Sequence, residues 1–259
     1  MRDVLSAEWL KFRSVRSSRL TVLLALGGVL LGAGLAQMAA GMYDSASPAQ
    51  QARASVAELE EVVLMLPLLA LGVLGVLSMT SEYATGLIRS SFTMVPRRWP
   101  VLTAKAAVVG LIGLVTGPAV VFGTHVVCRW IIGDRFGGLY QTPFADKLPL
   151  LVAFALTVPA FALLGLGLGT ILRSTAGAIA LLVGLVYVIP MIVSKFPAPW
   201  DEWLGSVMII ALPRQISGDF TTPGIYGTSL PPWAAAGLLA AYALLPVLAG
   251  LWLLRRRDV

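Results

Sequence analysis

Residues 148 to 172 read LPLLVAFALTVPAFALLGLGLGTIL, a run of 25 positions without a formal charge. An α-helix needs about 20 predominantly apolar residues to cross a hydrocarbon layer about 30 Å thick. A strand of an outer-membrane barrel would instead alternate apolar and polar residues over about ten positions. The run therefore predicts a transmembrane helix.

The same criterion, applied outward from this run, finds five more intervals of spanning length. Only 12% of the 259 residues are charged, whereas 58% belong to the apolar set AVILMFWYC, and this excess excludes a soluble fold. We expect an all-α polytopic membrane protein that forms one transmembrane domain over residues 1–259. Its six predicted spans lie near residues 20–40, 62–80, 106–127, 148–172, 175–194 and 233–254.

The last loop, residues 195–232, contains a further apolar stretch, WLGSVMIIALP, at positions 203 to 213. Its 11 residues are too few to cross a bilayer. The stretch therefore predicts an interfacial or re-entrant helix within an external loop.

Glycines spaced four apart occur inside three of the predicted spans. Such pairs let helix backbones approach closely in lipid, and we expect them to mediate helix packing. The GLGLG segment at 165–169 resembles a dinucleotide-binding glycine run, but it lies within an apolar span and no strand precedes it. The three pairs are Gly28 with Gly32, Gly113 with Gly117, and Gly165 with Gly169.

The distribution of Lys and Arg predicts the orientation of the chain. With the N-terminus inside, the inner segments carry 13 of the 19 basic residues and only 4 of the 13 acidic ones. Short cytoplasmic loops are enriched in Lys and Arg, so both termini are expected to be cytoplasmic. The net charge of +6 fits this membrane topology, and no nucleic-acid partner is implied.

The segment before the first span predicts a helix that lies in the headgroup layer. Within residues 1–19, helical spacing places Leu5, Trp9 and Phe12 on one side, with cations at Lys11 and Arg13. The helix either anchors the chain on anionic lipid or also contacts a partner protein.

The loop between the second and third spans, residues 81–105, is the most informative segment. Residues 84–95 predict a short helix that ends before Pro96, with Ile88, Phe92 and Val95 along one side and Arg89 beside them. Such an apolar stripe suits docking into a groove on a cytosolic partner, although an amphipathic turn resting on the bilayer has the same pattern. Glu82, the single acid of this loop, is expected to pair with a cation.

This loop resembles the first cytoplasmic loop of ABC-2 type transporter permeases, in which the pattern E-Y-R-x-G-T-I-R is followed by V-P-R-R and A-K. The sequence has Ala84 where that pattern has Arg, and Leu87 where it has Thr. The matching residues are Glu82, Tyr83, Gly86, Ile88, Arg89, Val95, Pro96, Arg97, Arg98, Ala104 and Lys105, and the N-terminal E-W-x-K-x-R-S pattern is matched by Glu8, Trp9, Lys11, Arg13 and Ser14.

The resemblance implies the permease subunit of an ATP-driven exporter in the bacterial inner membrane. Such a subunit forms a homodimer or pairs with a second permease, contacts membrane lipids, and is driven by a separate cytosolic ABC ATPase that uses ATP and Mg²⁺. The loop would act as the coupling helix, through Glu82, Tyr83, Gly86, Ile88, Arg89, Phe92, Arg97 and Arg98.

The chain itself is expected to have no catalytic site and no cofactor. The phosphate-binding pattern G-x-x-x-x-G-K-[ST] does not occur in the sequence. No Asp, Glu, Lys or Arg lies deep in a predicted span, so a proton- or ion-coupled carrier is not favoured and the substrate is expected to be apolar or amphiphilic.

Two alternatives remain open: an intramembrane enzyme, and a membrane scaffold or immunity protein without a transport cycle. Glu60 and Glu61 resemble the acidic pair of intramembrane prenyl-protein proteases, but the Arg expected shortly after them is missing. The only histidine, His125, is expected to be a packing or interfacial residue without a carboxylate nearby. Cys128 is expected to be a small hydrophobe or a free thiol. No metal site is predicted.

Overall fold

A computed structural model describes residues 2–85, 99–218 and 230–256 of the chain. Nine helices are labelled here in chain order, and two short helical turns at Pro48–Gln51 and Arg135–Gly138 connect them. The helices are α1 (Arg2–Ser14), α2 (Arg16–Ser45), α3 (Leu59–Thr85), α4 (Trp99–Ile132), α5 (Phe144–Leu172), α6 (Thr175–Val193, with a π-helical turn at Gly184–Val188), α7 (Trp200–Ser206), α8 (Leu212–Ser217) and α9 (Pro232–Arg256).

Six of these helices, α2 to α6 and α9, are long and apolar enough to span a membrane. The described part of the chain contains no strand. The prediction of an all-α polytopic protein with six spans is therefore confirmed.

The helix α4 begins well before the span predicted near residue 106. The predicted interval starts immediately after the charged residue Lys105, whereas the helix starts at Trp99 and includes Lys105. The length of a charge-free interval underestimates the length of a helix when the charged side chain has a buried partner. Lys105 has two such partners.

The helix α5 lies at the centre of the bundle and packs against α3, α4 and α9. Two of its phenylalanines, Phe154 and Phe161, are fully buried. A Cβ added at Gly165 would lie 2.1 Å from the carbonyl oxygen of Gly72, and one added at Gly75 would lie 2.0 Å from that of Ala162. The backbones of α3 and α5 are thus in direct contact, and the prediction that the GLGLG segment serves helix packing is confirmed.

The same close approach occurs between α4 and α5. A Cβ added at Gly113 would lie 2.7 Å from the Cα of Pro159, and one at Gly117 would lie 2.4 Å from the carbonyl oxygen of Ala155. Neither position has room for a side chain, so α5 is held between two helices that meet it at backbone distance.

The apolar stretch at residues 203–213 does not form one continuous helix. It is divided between the end of α7, a turn and the start of α8, and residues 208 to 215 are buried. Gln215 holds the segment in place, because its amide donates to the carbonyl oxygen of Ser206 at 2.7 Å and accepts from the N–H of Leu230 at 2.9 Å. Ile209, Ile210 and Leu212 belong to the main apolar core, whereas Trp203 stays 63% exposed. The helix α8 packs against α5 and α9.

Candidate functional site

Four charged side chains meet at the end of the bundle where α1 lies, and we call them the N-terminal cluster: Glu8 and Lys11 of α1, Glu82 of α3 and Lys105 of α4. The Lys105 ammonium contacts Glu82 Oε1 at 2.6 Å and Glu8 Oε2 at 2.8 Å. The Lys11 ammonium contacts the same two residues, Glu82 Oε1 at 2.9 Å and Glu8 Oε1 at 3.0 Å. Three helices are therefore joined by one closed set of ion pairs.

The N-terminal cluster is buried at one lysine and open at the other. Lys105 is 3% exposed, whereas the side chain of Lys11 is 46% exposed. Two carboxylates and two ammonium groups balance in charge, which permits burial of ions that would otherwise be strongly unfavourable. Burial lowers the pKa of Lys11, but its hydrogen bonds to Glu82 and Glu8 outweigh that effect and raise the pKa above its ordinary value.

The geometry of α1 follows from a break in the helix at Val15. This residue is extended, with φ −81° and ψ 119°, so α1 leaves the axis of α2 and lies against α4 instead. The N–H and hydroxyl groups that follow Lys11 bond back to its carbonyl oxygen, from Val15 at 3.1 Å and Ser14 at 2.9 Å. The break places Glu8 over Lys105.

The side of α1 that meets the bundle carries Glu8 and Phe12. Glu8 is buried and Phe12 packs against the core, while Leu5 and Trp9 stay 44% and 40% exposed. Of the expected stripe, Phe12 meets the core, while Leu5 and Trp9 remain partly exposed, as a helix in the headgroup layer would leave them. Trp9 and Phe12 remain in ring contact at 5.9 Å, and Arg13 is exposed.

Of the residues predicted for coupling, the structure describes Glu82 and Tyr83. The expectation that Glu82 pairs with a cation is confirmed, and the cations are Lys11 and Lys105. Tyr83 is half-buried, and the guanidinium of Arg173 lies 5.1 Å from its ring centroid. Ala84 belongs to α3, which ends at Thr85. Gly86, Ile88, Arg89, Phe92, Arg97 and Arg98 lie outside the described residues.

A cleft of about 290 Å³ opens beside the N-terminal cluster, between the junction of α1 with α2 and the helices α3 and α4. Sequence reasoning did not find it, because the residues that line it come from four helices. Besides the cluster, the cleft is lined by Phe12, Val15, Ser17, Ser18 and Thr21, by Leu74, Leu77, Ser78 and Ser81 of α3, and by Val108 and Val109 of α4.

A second charged group, which we call the distal cluster, lies at the opposite end of α3. Its acidic members are Glu58, Glu60 and Glu61, and its other members are His125 of α4, Tyr140, Lys147 of α5 and Arg214 of α8. Arg214 contacts Glu58 at 3.0 Å and its Nε donates to Glu61 at 3.1 Å. Lys147 forms an ion pair with Glu58.

His125 lies against a carboxylate, which was not expected from the sequence. Its Nδ1 lies 2.7 Å from Oε1 of Glu60, although the two residues are 65 positions apart in the chain. The Tyr140 hydroxyl donates to the other oxygen of Glu60 at 3.0 Å and accepts from the N–H of Leu59 at 3.0 Å. Burial and the charge of Glu60 raise the pKa of Tyr140.

The distal cluster has little room for a ligand. The cavity next to Glu60, His125 and Tyr140 measures about 10 Å³, enough for about one water molecule. Across residues 2–85, 99–218 and 230–256, no three His, Cys, Asp or Glu side chains are placed to hold a metal ion. Cys128 is fully buried next to this cluster. The arrangement of the distal cluster therefore suits a structural role, in which it holds α3, α4, α5 and α8 together.

Comparisons with known proteins add no relative. No protein-family model matches the chain, and no curated protein matches its sequence.

Proposed function

We propose that this chain is the membrane-spanning permease subunit of an ATP-driven transporter of the ABC-2 type. In this proposal it lies in the bacterial inner membrane with both termini in the cytoplasm, and it works as a homodimer or with a paired permease. The loop and N-terminal motifs support the proposal, as do the six helices of spanning length.

The observation that carries the proposal is the N-terminal cluster. Glu82 lies in the last turn of α3 and Lys105 lies near the start of α4, so the two residues flank the loop that is expected to meet an ATPase. Both also bind α1 through Glu8 and Lys11. A push on the loop would move three helix ends as one unit, because pulling them apart would leave buried charges without partners.

The energy source is proposed to be a separate cytosolic ATPase. The sequence contains no phosphate-binding loop, so ATP and Mg²⁺ would be held by that partner. Glu82 and Lys105 form an ion pair near the ends of their helices, an arrangement that favours mechanical coupling over an ion-coupled cycle.

The rival assignment, an intramembrane enzyme, finds less support in the distal cluster. Glu60 there accepts from Tyr140 and lies against His125, so both of its oxygens are occupied. The cavity of about 10 Å³ would not admit a substrate.

The test is reconstitution of the full chain with a Walker-A ATPase encoded beside its gene. We expect ATP hydrolysis and export to require both proteins. Glu82→Gln should lower both rates at least tenfold, and Phe92→Ala should do the same if the loop docks as predicted. Glu202→Gln makes the same chemical change at an exposed position of α7 and serves as the control.

Two results would overturn the proposal. One is stoichiometric ATP binding by the purified chain without a partner. The other is an ATPase rate that the permease does not change, in a preparation where the two proteins form a complex.

A further inference from the structure

The cleft beside the N-terminal cluster has a polar end that presents hydrogen-bond acceptors. Three hydroxyl groups there already donate to backbone carbonyl oxygens: Ser78 to Gly75 at 2.7 Å, Ser81 to Leu77 at 2.6 Å and Thr21 to Ser17 at 2.8 Å. Their protons are used, so their oxygens face a ligand as acceptors.

Glu82 adds the strongest acceptor. Its Oε1 holds both lysines, but its Oε2 is buried and makes no hydrogen bond within the described part of the chain. A buried carboxylate oxygen without a donor costs free energy, so this atom has a marked preference for a ligand that supplies an N–H or O–H group. Glu82 lines the cleft.

Another part of the cleft wall is apolar. Leu74 and Leu77 of α3 face Val108 and Val109 of α4, and Phe12 of α1 lies at the same opening. At about 290 Å³, the cleft is at the small end of ligand pockets, which measure about 300–1,000 Å³. This volume suits a head group and the first part of a chain.

We propose that the cleft binds an amphiphile with a protonated primary amine as its head group. Once Lys11 has moved away, the ammonium donates to the Glu82 carboxylate and to the hydroxyl oxygens of Ser78 and Ser81, and the chain lies along Leu74 and Val108. An anionic head group would be repelled by the carboxylate of Glu82, whose Oε2 has no donor within the described residues, and the two lysines already bind carboxylates. A quaternary ammonium has the charge but no N–H to donate.

The added positive charge is compensated by movement of Lys11. Its side chain is 46% exposed and can extend into water, whereas Lys105 is buried at 3% and stays in place. The entering ammonium then takes the place of Lys11 beside Glu82, and the cluster keeps its charge balance. This exchange requires that Glu82 and Lys11 influence binding with opposite sign.

Two sources supply this chemistry: a resident ethanolamine phospholipid and a free amine-bearing amphiphile that the protein transports. The site itself does not rest on the proposed transport function, although the second source does. Binding is measured on the full chain without ATPase or ATP, so loss of binding and loss of ATPase coupling are separate outcomes.

The experiment uses dodecylamine with a photoreactive diazirine on its chain, added to the purified full chain in a maltoside detergent. After irradiation, labelled peptides are mapped by mass spectrometry. We expect labels within residues 74–81 and 105–109. Dodecylamine should compete at least tenfold more strongly than dodecyltrimethylammonium, and dodecanoate should not compete.

Four variants sharpen the test. Glu82→Gln should weaken competition by dodecylamine about tenfold, and Lys11→Gln should strengthen it severalfold. Ser78→Phe should block labelling of the cleft. Val115→Phe introduces the same aromatic ring on the face of α4 where Val115 is 63% exposed, and labelling should not change.

The outcomes that overturn the proposal are equal competition by the quaternary amine, labels confined to exposed helix faces such as residues 111–115, or a Lys11→Gln effect with the same sign as Glu82→Gln. The amphiphile series uses the wild-type chain, so it decides the question even if Glu82→Gln fails to fold.

Native mass spectrometry after detergent exchange separates the two sources. Retained phosphatidylethanolamine that dodecylamine displaces supports the resident lipid, and a lipid-free protein that binds dodecylamine supports the free amphiphile. Retained phosphatidylglycerol that protects the cleft from labelling would refute an ammonium site.

Discussion

Lys105→Met removes the buried cation that Glu8 and Glu82 share. Both carboxylates then depend on Lys11 alone, whose side chain is 46% exposed and competes with water. Removing one partner of a buried pair costs about 3–5 kcal/mol, because the remaining charges stay desolvated. Methionine keeps much of the length of lysine, so the loss of charge dominates over the loss of packing. We expect the variant to be less stable by that amount.

The assay is unfolding in detergent, followed by tryptophan fluorescence, with Lys195→Met as the matched control. Lys195 is exposed and its replacement should change stability by no more than about 0.5 kcal/mol. Adding Glu82→Gln to Lys105→Met removes one uncompensated charge, so its cost in that background should be smaller than its cost alone. Equal effects of Lys105→Met and Lys195→Met, or strictly additive effects of the pair, would refute the electrostatic account of the cluster.

Other perturbations test the packing, the distal cluster and the topology. Gly75→Ala should severely disturb the contact between α3 and α5, since the added Cβ would lie 2.0 Å from a backbone oxygen. Gly34→Ala, with open space around it, should be harmless, and the midpoints of thermal unfolding compare the two variants. Tyr140→Phe should destabilise by about 1–3 kcal/mol, because Glu60 and the N–H of Leu59 lose a buried partner; a wild-type unfolding curve would contradict this. In a Cys128→Ser background, a cysteine at position 50 should react with an impermeant thiol reagent added outside, and one at position 90 should not; reversed labelling would exclude the proposed orientation.

The six spans could be predicted from the sequence because the requirement for crossing a bilayer is one-dimensional. A run of apolar residues either reaches across the hydrocarbon or does not, and residues 148–172 meet the requirement without reference to neighbours. Close helix packing at Gly165 was predictable for a related reason, since a glycine within a span removes the side chain that would keep two backbones apart.

The boundaries of the helices were harder to predict where charges are compensated. The sequence predicted that α4 would begin after Lys105, and it begins at Trp99. The division of the 203–213 stretch into two short helices was likewise not predictable, because it depends on how the stretch packs against α5 and α9.

The sequence alone therefore determined the class of protein, the number of its spans and the charge of Glu82 at the end of one of them. Only the tertiary structure decided which cations meet Glu82, that Glu60 meets His125, and that a cleft lies beside the N-terminal cluster. Lys11 is 71 positions from Glu82, and His125 is 65 from Glu60. Contacts at such separations arise from the way helices pack side by side, and a pattern read along one helix carries no information about the face its neighbour presents.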